Sequence, residues 1–398
     1  MKKTPLKHTS PSGGHDIEWF NSMTGRLTSP SLSSARRLVI KIGSALVVDP
    51  DNAAPRQAWL ASVAADIAQL RQQGTDVAVV SSGAIALARH TLGLTAGPLR
   101  LPEKQAAAAV GQISLAQAWS HALSAQGLTA AQLLLTPEDT EDRKRYLNAR
   151  ATLDTLLGLG CVPVINENDT IATAEIRFGD NDRLAARVAQ MIDADQLVLL
   201  SDIDGLYTAD PRSNPAAQHI PVIEALTPEI EAMGGEPPPG YSSGGMRTKL
   251  LAAGIATRSG CAMAIALGTP HHPLRALLDG ARCSWFLPQV CAQTARKQWI
   301  AGSLTPAGEI MIDQGAVEAL RHGGSLLPAG VLGVKGDFTQ GDLVVVMDNG
   351  GRVLARGLSA YDADDARRIA GHRSAELSDI LGWQGRDEII HRDDLVMV

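Results

Sequence analysis

Val162-Pro-Val-Ile-Asn-Glu-Asn-Asp-Thr-Ile171, read through to Gly179-Asp-Asn-Asp182, is the stretch on which the rest of the chain is organised. The apolar run Cys161 to Ile165 has the length of a buried strand and empties directly into Asn166, Glu167, Asn168 and Asp169. Gly179 to Asp182 then opens an amphipathic helix, expected over Arg183 to Ile192, with Leu184, Val188 and Met191 on one stripe. One Asx residue at a helix start is an ordinary N-cap. Three there, beside a second polar cluster, exceed what capping requires. In an open α/β sheet ligands gather outside the carboxyl ends of strands, so this stretch predicts a polar ligand site at a strand end.

Outward from it, strands and helices alternate. Leu38 to Ile42 reads as a strand, Gln57 to Gln72 as an amphipathic helix closed by Gly74, and Asp76 to Val80 as a second strand. Glu103 to Leu123 is a long Ala-rich helix, Ala130 to Leu135 a strand, Asp139 to Leu157 a helix and Gln196 to Leu200 a strand. A Gly/Pro-rich segment from Gly234 to Gly245 precedes a helix at Met246 to Arg258 and a strand at Ala262 to Leu267. Such alternation implies a mostly parallel sheet with helices on both faces, an αβα sandwich ending near Pro288. Past Trp299 short strand-like runs (Glu309 to Ile312, Val331 to Val334, Leu343 to Met347, Val353 to Leu358) and one brief helix (Ala363 to Ile369) predict a small β-barrel-like module.

Composition narrows the function classes. The chain has 398 residues, of which 45% are hydrophobic and only 4% aromatic, which suits an aliphatic sheet covered by helices. Its net charge of -6 argues against a general binder of nucleic acid or anionic membranes, and the whole acidic excess lies after residue 299, where 9 Lys+Arg face 15 Asp+Glu. Cys161, Cys261, Cys283 and Cys291 form no Cys-x-x-Cys pair and read as reduced thiols of a cytoplasmic protein. No run of 18 apolar residues is present, so no membrane span is expected. Residues 1–35 have no apolar core of a secretory signal and read as a disordered extension.

Further polar elements punctuate the strand ends. Lys41-Ile-Gly-Ser44 sets a lysine two residues before a glycine that lets an anion approach backbone N–H groups. Ser81-Ser-Gly-Ala84 repeats the arrangement and opens a helix, although a serine N-cap explains it equally well. Ser243-Gly-Gly-Met-Arg-Thr-Lys249 places two glycines before a helix with Thr248 and Lys249 in its first turns, a loop able to wrap phosphates while the lysine neutralises charge. Lys249 as a solvated helix lysine is the plain alternative. Ser201-Asp202, followed by Gly205-Leu-Tyr-Thr-Ala-Asp-Pro211, suits a ribose or adenine-side contact, or simple turn chemistry. No Walker A loop and no Gly-x-Gly-x-x-Gly fingerprint occurs, which disfavours P-loop and Rossmann readings. The ten histidines are scattered and receive no role.

Taken in order, these six motifs closely resemble those of the glutamate 5-kinases of the amino acid kinase superfamily. The stretch from about Gly308 to Arg386, with Ser325-Leu-Leu-Pro-Ala-Gly330 and Arg367-Arg-Ile-Ala-Gly371, resembles a PUA domain. The resemblance implies an amino acid kinase domain over 36–290, a linker over 291–306 and a PUA domain over 307–390. It implies transfer of the γ-phosphoryl of ATP to the side-chain carboxylate of L-glutamate, the first step of proline synthesis. By it, Ser82, Asp169 and Asn181, with Asn166 as neighbour, bind glutamate. Lys41, Ser201, Asp202, Ser243, Gly244, Gly245, Met246, Arg247, Thr248 and Lys249 bind ATP. Lys41 and Lys249 flank the transferring phosphoryl group, and Asp182 orients them.

Mg2+ held chiefly by phosphates and water, proline as feedback inhibitor, a separate glutamyl phosphate reductase and a homo-oligomer follow from the same resemblance. RNA binding by the acidic C-terminal module is not expected. Two departures stand out: the extension before Arg36, and Ser242-Ser243 after three prolines where the family often has Gly-Thr. The nearest rival readings are kinases of acetylglutamate, aspartate, carbamate or UMP, and, from another class, an RNA-associated protein.

Overall fold

Strands buried on both faces read as continuous aliphatic runs, and those runs assemble here into one mostly parallel sheet. The computed structural model describes residues 30–94, 97–171, 181–235, 245–288, 300 and 305–398. Its strands are β1 (Arg37–Ile42), β2 (Asp76–Ser81), β3 (Ala130–Leu135), β4 (Val162–Glu167), β5 (Gln196–Ser201), β6 (Leu206–Tyr207), β7 (His219–Ile220), β8 (Val222–Ile223), β9 (Ala262–Leu267) and β10 (Cys283–Phe286). The main sheet runs β3-β4-β2-β1-β5-β9-β10-β8, with β6 and β7 forming a separate hairpin. From β3 to β9 every neighbouring pair is parallel, and β10 is antiparallel to β9. The chain leaves β1 toward β2 and leaves β5 toward β9, so β1 and β5 flank a topological switch point.

Period-2 alternation on β1 divides the molecule into layers. Leu38, Ile40 and Ile42 enter one core with Trp59, Val63 and Ile67 of helix Gln57–Gln72 and with Leu115 and Trp119 of helix Leu101–Ser124. Val39 enters the opposite core with Leu184 and Val188 of helix Asn181–Met191, Leu250 and Ala253 of helix Met246–Arg258, and Leu153 of helix Arg143–Gly158. The αβα sandwich is therefore as the sequence predicts. Lys41 shares the parity of Val39, which sends it to the second face.

Several boundaries differ from expectation. Helix Asn181–Met191 starts two residues early, so Asp182 lies within its first turn, where an acidic side chain meets the positive end of the helix dipole. The helix expected over Asp139 to Leu157 is two, Pro137–Glu141 and Arg143–Gly158, because Asp142 turns extended (ψ 124°) and its carboxylate accepts from the Arg145 N–H. Residues 30–35 do not belong to an extension: Leu32 is buried in the first core and Gln196 donates to the Ser31 carbonyl. Whether residues 1–29 are disordered lies outside the described residues. Cys161, Cys261 and Cys283 are free thiols, and Cys291 lies outside the described residues.

The second domain has its own sheet, β11 (Gly308–Ile312), β12 (Val331–Gly336), β13 (Leu343–Met347), β14 (Val353–Leu358) and β15 (Leu395–Met397), ordered β12-β11-β13-β14-β15. All its pairs are antiparallel except β11–β13. Ile310, Val344, Phe338, Tyr361 and Ile390 share its core. The sequence missed β15 and the helices Gln314–Arg321 and Leu377–Leu381, which are too short to show a period. No described helix is long and apolar enough to cross a membrane.

Candidate active site

The parallel register brings four strand ends to one edge: Ile42 lies beside Ser81 and Leu200, and Val80 beside Ile165. Lys41, directed to the second face, reaches Asp182 at the start of helix Asn181–Met191 and forms an ion pair with its Oδ1. Lys249, in the first turn of helix Met246–Arg258, donates to the other oxygen, Oδ2, at 2.9 Å. Asp182 is fully buried, and each lysine is 6% exposed. Burial alone pushes the Asp182 carboxyl up, but the two ammonium groups outweigh it and hold it below the ordinary range. Two cations against one anion leave a net positive charge in a dry setting, where it acts on a ligand anion with little screening. Thr248 Oγ1 donates to the Gly245 carbonyl at 2.8 Å and lies 3.3 Å from Asp182 Oδ2, which fixes the entry of the helix.

Beside this centre is a cluster of neutral polar groups. Asn181 Nδ2 donates to Ser82 Oγ at 2.6 Å and to Asn166 Oδ1 at 2.9 Å, while Asn166 Nδ2 donates to Gln112 Oε1 at 2.8 Å. Ser82, Asn166 and Asn181, separated by up to 99 residues in sequence, thus share one hydrogen-bonded patch. Asp169 follows on the turn after β4, half-buried. Gly83 takes φ 124°, closed to ordinary side chains, and turns the chain from β2 into helix Ala84–Thr91.

On the far side of β5, Ser201 Oγ donates to Asp202 Oδ1 at 3.1 Å and Arg212 donates to Asp202 Oδ2 at 2.6 Å. Partial burial raises the Asp202 carboxyl, but the Arg212 and Ser201 hydrogen bonds prevail and lower it. Met246, Arg247, Thr248 and Lys249 open helix Met246–Arg258 behind Gly245, with first-turn N–H groups of the kind that receive phosphate. Ser243 and Gly244 lie outside the described residues.

The Amino acid kinase family pattern matches residues 36–266, and the PUA domain pattern matches residues 308–381. A glutamate 5-kinase from Gluconobacter oxydans is 65% identical over 375 residues, covering 94% of this chain and 99% of that one. A glutamate 5-kinase from Paramagnetospirillum magneticum is 61% identical, covering 92% and 99% respectively. The chain belongs to the glutamate 5-kinases of the amino acid kinase family. For a member of that family the gathering of Lys41, Asp182 and Lys249 is the informative geometry, because those residues come from three separate motifs. Two polar residues of this family member escaped the sequence reading. Gln112 sits on an Ala-rich helix with no turn signal near it, and Arg212 lies ten residues after Asp202 in a loop whose composition suggested only turns.

Proposed function

We propose that Lys41, Asp182 and Lys249 form the phosphoryl-transfer centre of an ATP-dependent kinase acting on the side-chain carboxylate of L-glutamate. The observation that carries this reading is the buried Lys–Asp–Lys triad between a neutral amide patch on one side and the start of helix Met246–Arg258 on the other. The acceptor needs no general base, since a glutamate carboxylate with a pKa of about 4.3 is ionised at neutral pH. A carboxylate oxygen forms the new bond to the γ-phosphorus while the bond from that phosphorus to the β–γ bridging oxygen breaks, its electron pair leaving on ADP. The product is an acyl phosphate. The obstacle is repulsion between two anions, which paired lysines and helix N-termini reduce by alignment and charge stabilisation.

Ser82, Asn166, Asp169 and Asn181 take the amino-acid end of glutamate: a carboxylate and an amide oxygen suit its ammonium. Ser201, Asp202 and residues 243–249 take ATP. Among the described residues no group of three His, Cys, Asp or Glu is placed to hold a metal ion, and Mg2+ would be held chiefly by the phosphates of ATP and water, where it supplies further charge neutralisation. We put the first domain at about 30–290, since Leu32 enters its core, and the second at about 307–398, since β15 completes its sheet, with a linker over 291–306 between them.

Proline carries the same ammonium and carboxylate pairing as glutamate and is the expected feedback ligand of this pocket. The labile acyl phosphate passes to a separate glutamyl phosphate reductase in the cytoplasm, and the enzyme acts as a homo-oligomer. Arg367 and Arg368 are spent on Asp364 and Asp365, which supports a C-terminal module that does not bind RNA. The test is ADP release by the purified protein with ATP and Mg2+, offering L-glutamate, N-acetylglutamate, aspartate or UMP. Turnover with L-glutamate alone is expected, and preference for any other acceptor overturns the assignment.

A further inference from the structure

The Asn166 carboxamide is almost fully buried, at 3% exposure, and it has a direction. Its Nδ2 is committed to Gln112 Oε1 at 2.8 Å, which leaves its Oδ1 to accept from Asn181 Nδ2 at 2.9 Å. The second hydrogen of Asn181 Nδ2 goes to Ser82 Oγ at 2.6 Å. Asn181 Oδ1 is then the group without a hydrogen-bond partner among the described residues, and it is an acceptor. Gln112 can reach across because Gly111 lets helix Leu101–Ser124 lie against the start of helix Ala84–Thr91: a Cβ at Gly111 would stand 1.7 Å from the Ala84 carbonyl oxygen.

We propose that Gln112 is a positioning residue of the glutamate subsite, acting through Asn166 to keep the Asn181 carbonyl oxygen turned toward the substrate ammonium. An amide is ambivalent, offering a donor at one end and an acceptor at the other. Without the Gln112 acceptor, Asn166 is free to present its NH2 to Asn181, whose own NH2 then faces a donor. Relieving that conflict turns Asn181 over and sets N–H groups where an ammonium must bind. The effect falls on glutamate affinity, since neither amide touches the lysine centre.

This inference rests on the assignment of Asn166 and Asn181 to glutamate, and the experiment separates the two. Gln112→Leu, Asn166→Ala and the double variant are compared in the full chain by ADP release, varying glutamate and ATP independently. Gln112→Leu is expected to raise the KM for glutamate about 5- to 10-fold, the scale of one lost hydrogen bond, with kcat and the KM for ATP within about twofold. In the Asn166→Ala background it should add less than about twofold, because its action passes through Asn166. A glutamate KM within twofold of the parent, an equal rise in the ATP KM, or full additivity with Asn166→Ala overturns the proposal. If Asn166→Ala itself raises the KM for ATP and spares that for glutamate, the subsite assignment fails instead. Gln112→Met, similar in length and equally without an acceptor, replaces Gln112→Leu if the latter yields no folded protein.

Discussion

Asp182→Asn removes the charge between two buried lysines while keeping side-chain size. At an effective dielectric of about 20, the 2.9 Å Lys249–Asp182 contact represents roughly 6 kcal/mol of attraction, most of it offset by the cost of burying the charges. Breaking one buried pair typically costs about 3–5 kcal/mol, because the partner is left uncompensated. Here two ammonium groups lose one shared counter-ion, and the asparagine NH2 turns a donor toward one of them. For a domain of this size the loss corresponds to a fall in Tm of roughly 6–20 °C. Activity should drop further, with kcat lower by about 10² to 10³, since both lysines lose their orientation. Differential scanning calorimetry and steady-state ADP release measure the two effects. The acid limb adds a check: a carboxyl held below its ordinary range contributes stability above the unfolded pKa, and that contribution disappears as pH falls through the folded value. The stability gap between parent and variant should therefore be constant from pH 7 to about 5 and close at lower pH. A variant with an unchanged Tm and a kcat within fivefold of the parent would refute the reading of this triad.

Lys249→Ala should lower kcat by about 10² or more with a smaller change in KM, in the same assay; near-normal kcat would remove Lys249 from the transfer centre. Asn181→Ala should raise the KM for glutamate far more than that for ATP, and an equal rise in both would move Asn181 to the nucleotide side. Gly111→Ala forces a Cβ against the Ala84 carbonyl and should cost about 1–3 kcal/mol by the Tm shift, with a raised glutamate KM, as the Gln112 helix is pushed outward. A chain stopped between Pro288 and Ala301 should retain glutamate-dependent ATP turnover while its oligomeric state or response to proline changes; complete loss of turnover would place the second domain in the chemistry.

The alternation of aliphatic runs with amphipathic ones made the parallel sheet legible, because burial on both faces leaves no other use for Leu38 to Ile42 or Gln196 to Leu200. Lys41 and Lys249 were legible for a different reason: glycines beside them marked strand and helix ends where backbone N–H groups are open to an anion. What sequence could not show was convergence. Nothing in Ala106-Ala-Ala-Ala-Val-Gly-Gln112 signals a site, since its importance depends on a close crossing with residues near position 84. Likewise Leu32 has no periodic neighbours to announce that it is core, and the two-residue edge strand β8 pairs with β10 through tertiary context alone. Local propensity decides elements, and the packing between elements decides which polar side chains meet.

Helix Arg143–Gly158 connects the second domain to the C-terminal end of helix Asn181–Met191. Its Leu147 packs with Ile300, Leu343 and Leu358, so one side of it is covered by the C-terminal domain. Three residues on, the buried Arg150 donates to the Met191 carbonyl at 3.0 Å and to Asp193 Oδ2 at 2.6 Å, closing the C-terminal end of the helix whose first turn carries Asn181 and Asp182. Burial opposes the Arg150 charge, but Asp193 and Asp394 outweigh it, and Asp394 belongs to the C-terminal domain. Burial in turn pushes the Asp394 carboxyl up against the pull of Arg150, His391, Arg386 and Arg143. One guanidinium therefore answers to a carboxylate from each domain. Removing the second domain takes away Asp394 and the cover over Leu147, yet Asp193 remains and Arg150 keeps a counter-ion. Helix Asn181–Met191 stays anchored at its far end, and the exposed Leu147 face is where loss of stability or of assembly should begin.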